Sequence, residues 1–284
     1  MTSRQLLTGA LLLIATLPLP VVGYFLFVSA NRPVGTYEAF GRLVAYPGKV
    51  AVPCPAQDKD TSVLLVAGQS NSANYGQKKM ASHHPGRVLN YFDGTCYEAG
   101  SPLLGATGEG GEFLTQLGDE LVARGTYKTV VIVPAGIGDT PLSRWQSDGD
   151  LNDLLMATVE DLKGRYRITE VIWHQGENDY RNRTSARNYV KGFKSLLESL
   201  DEGGVTAPVY ISIATKCGIY WAPDNPTARG QRELIDNKRI FLGADTDALI
   251  PSGDRYDNCH FSEAGQLKAA AAYADALTKH RRRD

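Results

Sequence analysis

The chain lacks an excess of charge of either sign: 30 Lys and Arg stand against 31 Asp and Glu, a net of −1 over 284 residues. A nucleic-acid surface needs a basic patch or stripe, and none is visible. The one basic run, Lys279-His280-Arg281-Arg282-Arg283, is a short terminal segment of the kind that water solvates. Paired metal-ligand spacings are missing as well. There is no CxxC and no HxxxH, which argues against a structural zinc site. The glycines of Gly108-Glu109-Gly110-Gly111-Glu112 lack the Gly-Lys-Ser/Thr ending of a phosphate loop, and their two glutamates would repel a phosphate. Internal repeats and low-complexity linkers are absent, so nothing marks off a second globular domain.

What is present begins at the N-terminus. Residues 8–30 carry no charge and are mostly apolar, and about twenty such residues span a bilayer as a helix. The run is longer than the roughly 7–15 apolar residues of a secretory signal. Val28-Ser29-Ala30 nevertheless resembles a cleavage site, and Pro18 and Pro20 would disturb a straight helix. Two readings stay open for residues 1–30: an uncleaved membrane anchor or a cleaved signal peptide. Both predict a domain outside the cytoplasm, periplasmic or at the cell surface when anchored and secreted when cleaved. Four cysteines fit that compartment and predict two disulfides. The expected pairs are Cys54–Cys96 and Cys217–Cys259, because both partners of each lie near predicted strand ends.

Residues 31–60, rich in proline, read as an irregular lead-in. From residue 61 onward strand and helix patterns alternate. Ser62–Ala67 is a short apolar run ending at Gly68, the signature of a strand buried on both faces. Further strands are predicted at 88–92, 129–134, 170–173, 209–214 and 240–243. Helices are predicted at 112–123, 151–162, 185–200, 227–235 and 262–279, with Thr184 capping one and Asp148 or Asp150 another. This alternation predicts an α/β fold, a three-layer α/β/α sandwich on a mainly parallel, flavodoxin-like sheet, with residues 61–284 as its one domain. In such sheets ligands bind beyond the carboxyl ends of the strands.

Four blocks lie at those ends. Gly68-Gln69-Ser70-Asn71-Ser72 puts a serine on a strand-to-helix turn, although spacing does not choose between Ser70 and Ser72. Asp257-Asn258-Cys259-His260 precedes the last helix. A hydroxyl needs a positioned base, histidine titrates near neutral pH, and an aspartate three residues earlier can fix its tautomer. Trp173-His174-Gln175-Gly176-Glu177-Asn178-Asp179 gathers amides and acids, and an amide NH₂ can donate to a developing oxyanion. His174 is a rival base there, and a metal set of His174, Glu177 and Asp179 lacks the paired histidines of a zinc-protease helix. The block at 108–112 lets backbone N–H groups approach a ligand at a helix start.

Together these blocks resemble the SGNH-hydrolase superfamily, and within it the sialate O-acetylesterase and carbohydrate esterase family 6 branch. Minor matches are Gly138-Asp139-Thr140-Pro141-Leu142 with Trp145, and Arg229-Gly-Gln231. The blocks stand in family order over about residues 62–280. The resemblance implies Ser70 as nucleophile, His260 as general base and Asp257 as its partner. It implies an oxyanion hole from the Ser70 N–H, a glycine N–H such as that of Gly111, and the amide of Asn178 or Gln175. Gln69, Asn71, Glu177 and Arg229 would contact substrate. The implied activity is removal of acetyl groups from sugar hydroxyls with no metal or organic cofactor. Two alternatives remain: transfer of the acetyl group to an envelope polysaccharide, or a non-catalytic carbohydrate-binding module. Trp145, Tyr180, Tyr220 and Trp221 are possible stacking surfaces for sugar, and Arg144, Arg181 and Arg229 possible partners for an acidic one. The partners expected are an acetylated carbohydrate and, through residues 1–30, a membrane.

Overall fold

The computed structural model describes residues 34–281. β1 (Thr36–Tyr37) and β2 (Leu43–Ala45) form a small antiparallel ribbon, and β3 (Ala51–Val52) follows. β4 (Thr61–Gly68) is buried at all eight positions, as its apolar run requires. Then come β5 (Val88–Phe92), β6 (Thr95–Glu98), α1 (Leu114–Ala123), β7 (Thr129–Pro134) and α2 (Asp150–Leu162). β8 (Glu170–His174), the single-turn α3 (Glu177–Arg181) and α4 (Ala186–Glu202) follow. β9 (Val209–Ile213), α5 (Pro226–Leu234), β10 (Ile240–Asp245), α6 (Thr246–Leu249) and α7 (Glu263–Arg281) complete the described chain.

The main sheet has eight strands in the order β10-β9-β8-β4-β7-β5-β6-β3. The strands from β10 to β5 are parallel, while β6 and β3 are antiparallel additions at one edge. Side chains alternate between two cores. Val63, Leu65 and Ala67 of β4 face one core, with Leu155 of α2 and Phe193 of α4. Leu64 and Val66 face the other, with Leu117 of α1 and Tyr273 of α7. A period of two in the strand feeding two helical layers is the α/β/α sandwich expected.

The flavodoxin-like order 2-1-3-4-5 is kept by β7, β4, β8, β9 and β10, counted from one side, with β5 an added strand beyond β7. A tight turn at Asp93-Gly94 folds β6 onto the outer edge of β5 and leaves the inner edge for β7. Two details differ from the sequence-based expectation. The stretch 31–60 is more than a lead-in, because β3 pairs with β6 and covers a sheet edge that would otherwise be open. The cap of α4 is Ser185 rather than Thr184, its Oγ accepting from the Asn188 N–H, and α2 starts from Gly149 with no side-chain cap. The predicted membrane segment at 1–30 lies outside the described residues. Among the described residues no helix is long and apolar enough to cross a membrane.

Both expected disulfides are present, Cys54–Cys96 and Cys217–Cys259. The first staples the segment after β3 to β6, on the sheet edge away from β10. Replacing Cys54 and Cys96 with serine is expected to lower unfolding free energy by about 2–5 kcal/mol and leave kcat/KM at 25 °C unchanged. Denaturant titration and ester-hydrolysis kinetics on the same variant check both halves.

Candidate active site

β4 ends at Gly68, whose φ is +132° and where a Cβ would sit 2.1 Å from the His174 carbonyl oxygen. Only glycine fits, and the turn it permits starts β4's exit toward Ser70. Gln69 N–H donates to the same carbonyl at 3.0 Å. Ser70–Ser72 then make one 3₁₀ turn. The structure separates the two serines. Ser72 is wholly buried and its Oγ donates to the Gln69 carbonyl at 2.8 Å. Ser70 opens onto a cleft of about 300 Å³. That cleft lies at the carboxyl edge of the sheet, where β7 and β8 flank β4 on opposite sides. The loop after β7 brings Gly138 and Asp139 to it, α3 brings Asn178 and Arg181, and the turn before α7 brings Cys259 and His260.

That last turn is built by its own aspartate. Asp257 Oδ1 accepts the N–H groups of Cys259 at 3.0 Å and His260 at 2.7 Å. Asn258, between Asp257 and Cys259, has φ +65°, a left-handed conformation that asparagine tolerates. The remaining oxygen, Oδ2, meets His260 Nδ1 at 2.6 Å. Burial pushes the Asp257 carboxyl up, but the His260 side chain and the two backbone N–H groups outweigh it and hold the group below the ordinary aspartate value. His260 lies between two tyrosine rings, Tyr75 at 5.4 Å and Tyr256 at 6.0 Å, both stacked. Sequence reasoning missed these rings, since their positions carry no motif.

The turn is fastened to the serine by Asn71. Its Nδ2 donates to Glu177 Oε1 at 2.8 Å and to the Cys259 carbonyl at 3.3 Å. Its Oδ1 accepts the Phe261 N–H at 3.3 Å. One amide thus grips the backbone on both sides of His260. Arg255, also missed from sequence, grips from the other side: its Nη1 donates to the Cys259 carbonyl at 2.6 Å and to the Lys216 carbonyl at 3.0 Å. Burial pulls this guanidinium below its ordinary value, opposed by the Glu177, Asp247 and Asp257 carboxylates. Glu177 lies 3.7 Å from His174 Nε2. Burial raises its carboxyl, yet His174 and the Asn71 amide overcome this and keep it below the usual range.

Several predicted contacts fall elsewhere. Gly111 does not line the cleft. Its N–H donates to the Gly76 carbonyl at 2.7 Å, and glycine is needed there because a Cβ would meet the Lys78 carbonyl oxygen at 1.8 Å. The glycine on the cleft is Gly138, whose N–H donates to Thr107 Oγ1 at 2.8 Å. Gln175 is fully buried with its Nε2 committed to Asp179 and the Thr140 carbonyl, so it is a strut of the β8 loop. Asn178 does reach the cleft, where its Nδ2 donates to the carbonyl and Oδ1 of Asp139 at 3.1 and 2.9 Å. Asp139 also pairs with Arg181. No carbonyl among the described residues takes the Ser70 N–H, the first of its turn.

Gln69 borders the cleft, but its Oε1 accepts the Asn178 N–H at 3.1 Å. Asn71 is likewise committed to the clamp, while Glu177 borders the cleft with its Oε1 on the Asn71 amide. Arg229 is remote from the cleft, paired with Asp224 on the exposed side of α5. The buried His174, a rival base by sequence, has its Nδ1 on Ser212 Oγ at 2.9 Å and does not line the cleft. Among the described residues no group of three or more His, Cys, Asp or Glu is arranged to hold a metal.

The family described as carbohydrate esterase, sialic acid-specific acetylesterase, matches residues 60–279, so the chain is an ester-hydrolysing enzyme and belongs to that family. Its serine at the carboxyl end of the first parallel strand and the Asp-x-x-His turn ahead of the last helix meet on the same cleft. Solved structures with the same fold include a protein from Arabidopsis thaliana, 16% identical with TM-score 0.59, covering 78% of this chain and 98% of its own. NanS is similar at 15% identity and TM-score 0.58, covering 81% and 100%. The aryl esterase of M. smegmatis is 14% identical with TM-score 0.50, covering 77% and 99%. No curated protein matches by sequence.

Two outcomes are expected of the clamp and the turn. Asn71→Ala frees both backbone groups beside His260 and should lower kcat on the order of 10²-fold with a small change in KM, read by steady-state kinetics on a model acetate ester. The Asp257 carboxyl is depressed in the folded state. Its contribution to stability is therefore present above the unfolded value of about 3.9 and lost as pH falls through the folded one. The stability difference between the wild type and Asp257→Asn should then shrink below about pH 4, in denaturant titrations across pH.

Proposed function

We propose that this enzyme removes O-acetyl groups from a carbohydrate through an acetyl-serine intermediate on Ser70. The observation that carries the reading is the Asp257–His260 pair, 2.6 Å apart, placed on the same cleft as Ser70. With Nδ1 held by the carboxylate, Nε2 is the nitrogen left to act as base. His260 takes the Ser70 proton as Oγ attacks the acetyl carbonyl carbon. The tetrahedral intermediate collapses, the sugar oxygen leaves with the proton from His260, and water repeats the sequence on the acetyl-serine.

The developing oxyanion is received by the Ser70 N–H. The Gly138 N–H and the Asn178 amide join it by exchanging their present acceptors, Thr107 Oγ1 and Asp139, for a charged oxygen. Hydrogen bonds to an ionised acceptor are roughly twice as strong as neutral ones, which favours the exchange where the acceptor given up is neutral, Thr107 Oγ1 for Gly138 and the Asp139 backbone carbonyl for Asn178. The carbohydrate part of the reading is supported by the family match over residues 60–279. Two disulfides support a domain working in an oxidising compartment outside the cytoplasm.

Ser70→Ala is expected to abolish acetate release from a model ester, and from acetylated glycans, while circular dichroism and melting temperature stay those of the wild type. A folded Ser70→Ala variant that retains hydrolysis would remove Ser70 from the mechanism.

A further inference from the structure

Starting two residues beyond the cleft-lining Cys217, the chain displays two large side chains to water. In the loop after β9, Ile219 is 72% exposed and Tyr220 is 91% exposed. Such exposure is ordinary on a loose loop, but the backbone here is fixed at several points. Cys217 is bonded to Cys259, and the Gly218 N–H donates to the Asn258 carbonyl at 3.0 Å. The Tyr180 hydroxyl donates to the Tyr220 carbonyl at 3.1 Å and accepts the Ala222 N–H at 3.0 Å. Trp221, half-buried, donates its indole N–H to Thr215 Oγ1 at 2.9 Å and carries the Lys216 ammonium 4.9 Å over its ring. The neighbouring residues are tied down, while Ile219 and Tyr220 are held outward. Covering such side chains removes apolar surface from water, so their exposure marks a surface that a ligand can cover.

Its place suggests which ligand. Cys217 and Cys259 line the cleft, and Tyr180 directly precedes the cleft residue Arg181. At about 300 Å³ the cleft is at the small end for ligand sites, with room for one acetylated sugar ring. Any further ring of the same molecule must leave over the rim. The apolar C–H face of a pyranose complements an exposed aromatic ring backed by an aliphatic side chain. We infer that Ile219 and Tyr220 form a subsite for a second sugar ring, so that the enzyme's substrate is an oligosaccharide or polysaccharide rather than a free monosaccharide. This rests on the carbohydrate O-acetylesterase reading above.

The test compares the wild type with the double variant Ile219→Ala/Tyr220→Ala on p-nitrophenyl acetate and on O-acetylated sialic acid, hexosamine and xylose, each glycan as single ring and as tetramer. The double variant should raise KM for the preferred tetramer roughly three- to tenfold. Its kcat, and its kinetics on the single ring and on p-nitrophenyl acetate, should not change. A wild-type KM no lower for tetramers than for single rings, or a variant that loses rate equally on all substrates, overturns the subsite and leaves the esterase reading standing. Wild-type hydrolysis of p-nitrophenyl acetate with no acetate released from any glycan overturns both. Sedimentation of the domain with phosphatidylglycerol vesicles, lost in the double variant, would assign the patch to a lipid surface instead.

Discussion

The amide of Asn71 sets where the histidine stands relative to the serine. It belongs to the turn that carries Ser70, and it holds the Cys259 carbonyl and the Phe261 N–H, both at 3.3 Å. These two groups flank His260, nearly two hundred residues away along the chain. Every other feature of the site supports this bridge. Glu177 fixes the amide's orientation by accepting from Nδ2. Arg255 and the Cys217–Cys259 bridge hold the same backbone from behind. Asp257 shapes the turn so that its free oxygen meets Nδ1. A site built this way holds the backbone that carries its base through the buried contacts of Asn71 and Arg255.

Such a site carries charges that a stable core would avoid. His174 Nε2 and Glu177 Oε2 are buried without hydrogen-bond partners. A group left this way costs stability. Glu177 stays ionised because His174 and Asn71 outweigh the burial, and its charge in turn faces the buried Arg255. Local inconsistency of this kind concentrates at functional sites. The opposite, amino-terminal end of the sheet shows a contrast. Buried Glu170 there is met by Ser62, Tyr127 and Thr169 hydroxyls and is pushed up by burial, a satisfied structural acid.

Much of this was legible in the sequence, and the limits have a physical cause. The unbroken apolar run of β4 and the Asp-x-x-His spacing are local signals, and both appear in the structure where their residues placed them. Both disulfide pairs are those inferred, although Cys259 lies in the turn before α7 rather than near a strand end. Side-chain direction is not local. Asn71 was expected to touch substrate because it sits in the right block, yet its amide is turned toward partners more than a hundred residues away. Gly111 was taken from a glycine-rich block whose glycines are needed for close backbone packing, while Gly138, in a minor block, reaches the cleft. The position of β7 between β4 and β5 depends on which strand edge is free, and no spacing in the chain records that.

The central claim is that Ser70 is the nucleophile and that the Asp257–His260 pair activates it. The most direct measurement is reaction of the domain with a fluorophosphonate, followed by peptide mapping by mass spectrometry. A single adduct on Ser70, formed by the wild type and lost in His260→Ala, is the predicted result. An adduct on Ser72, or labelling of Ser70 that proceeds at the same rate without His260, would contradict it.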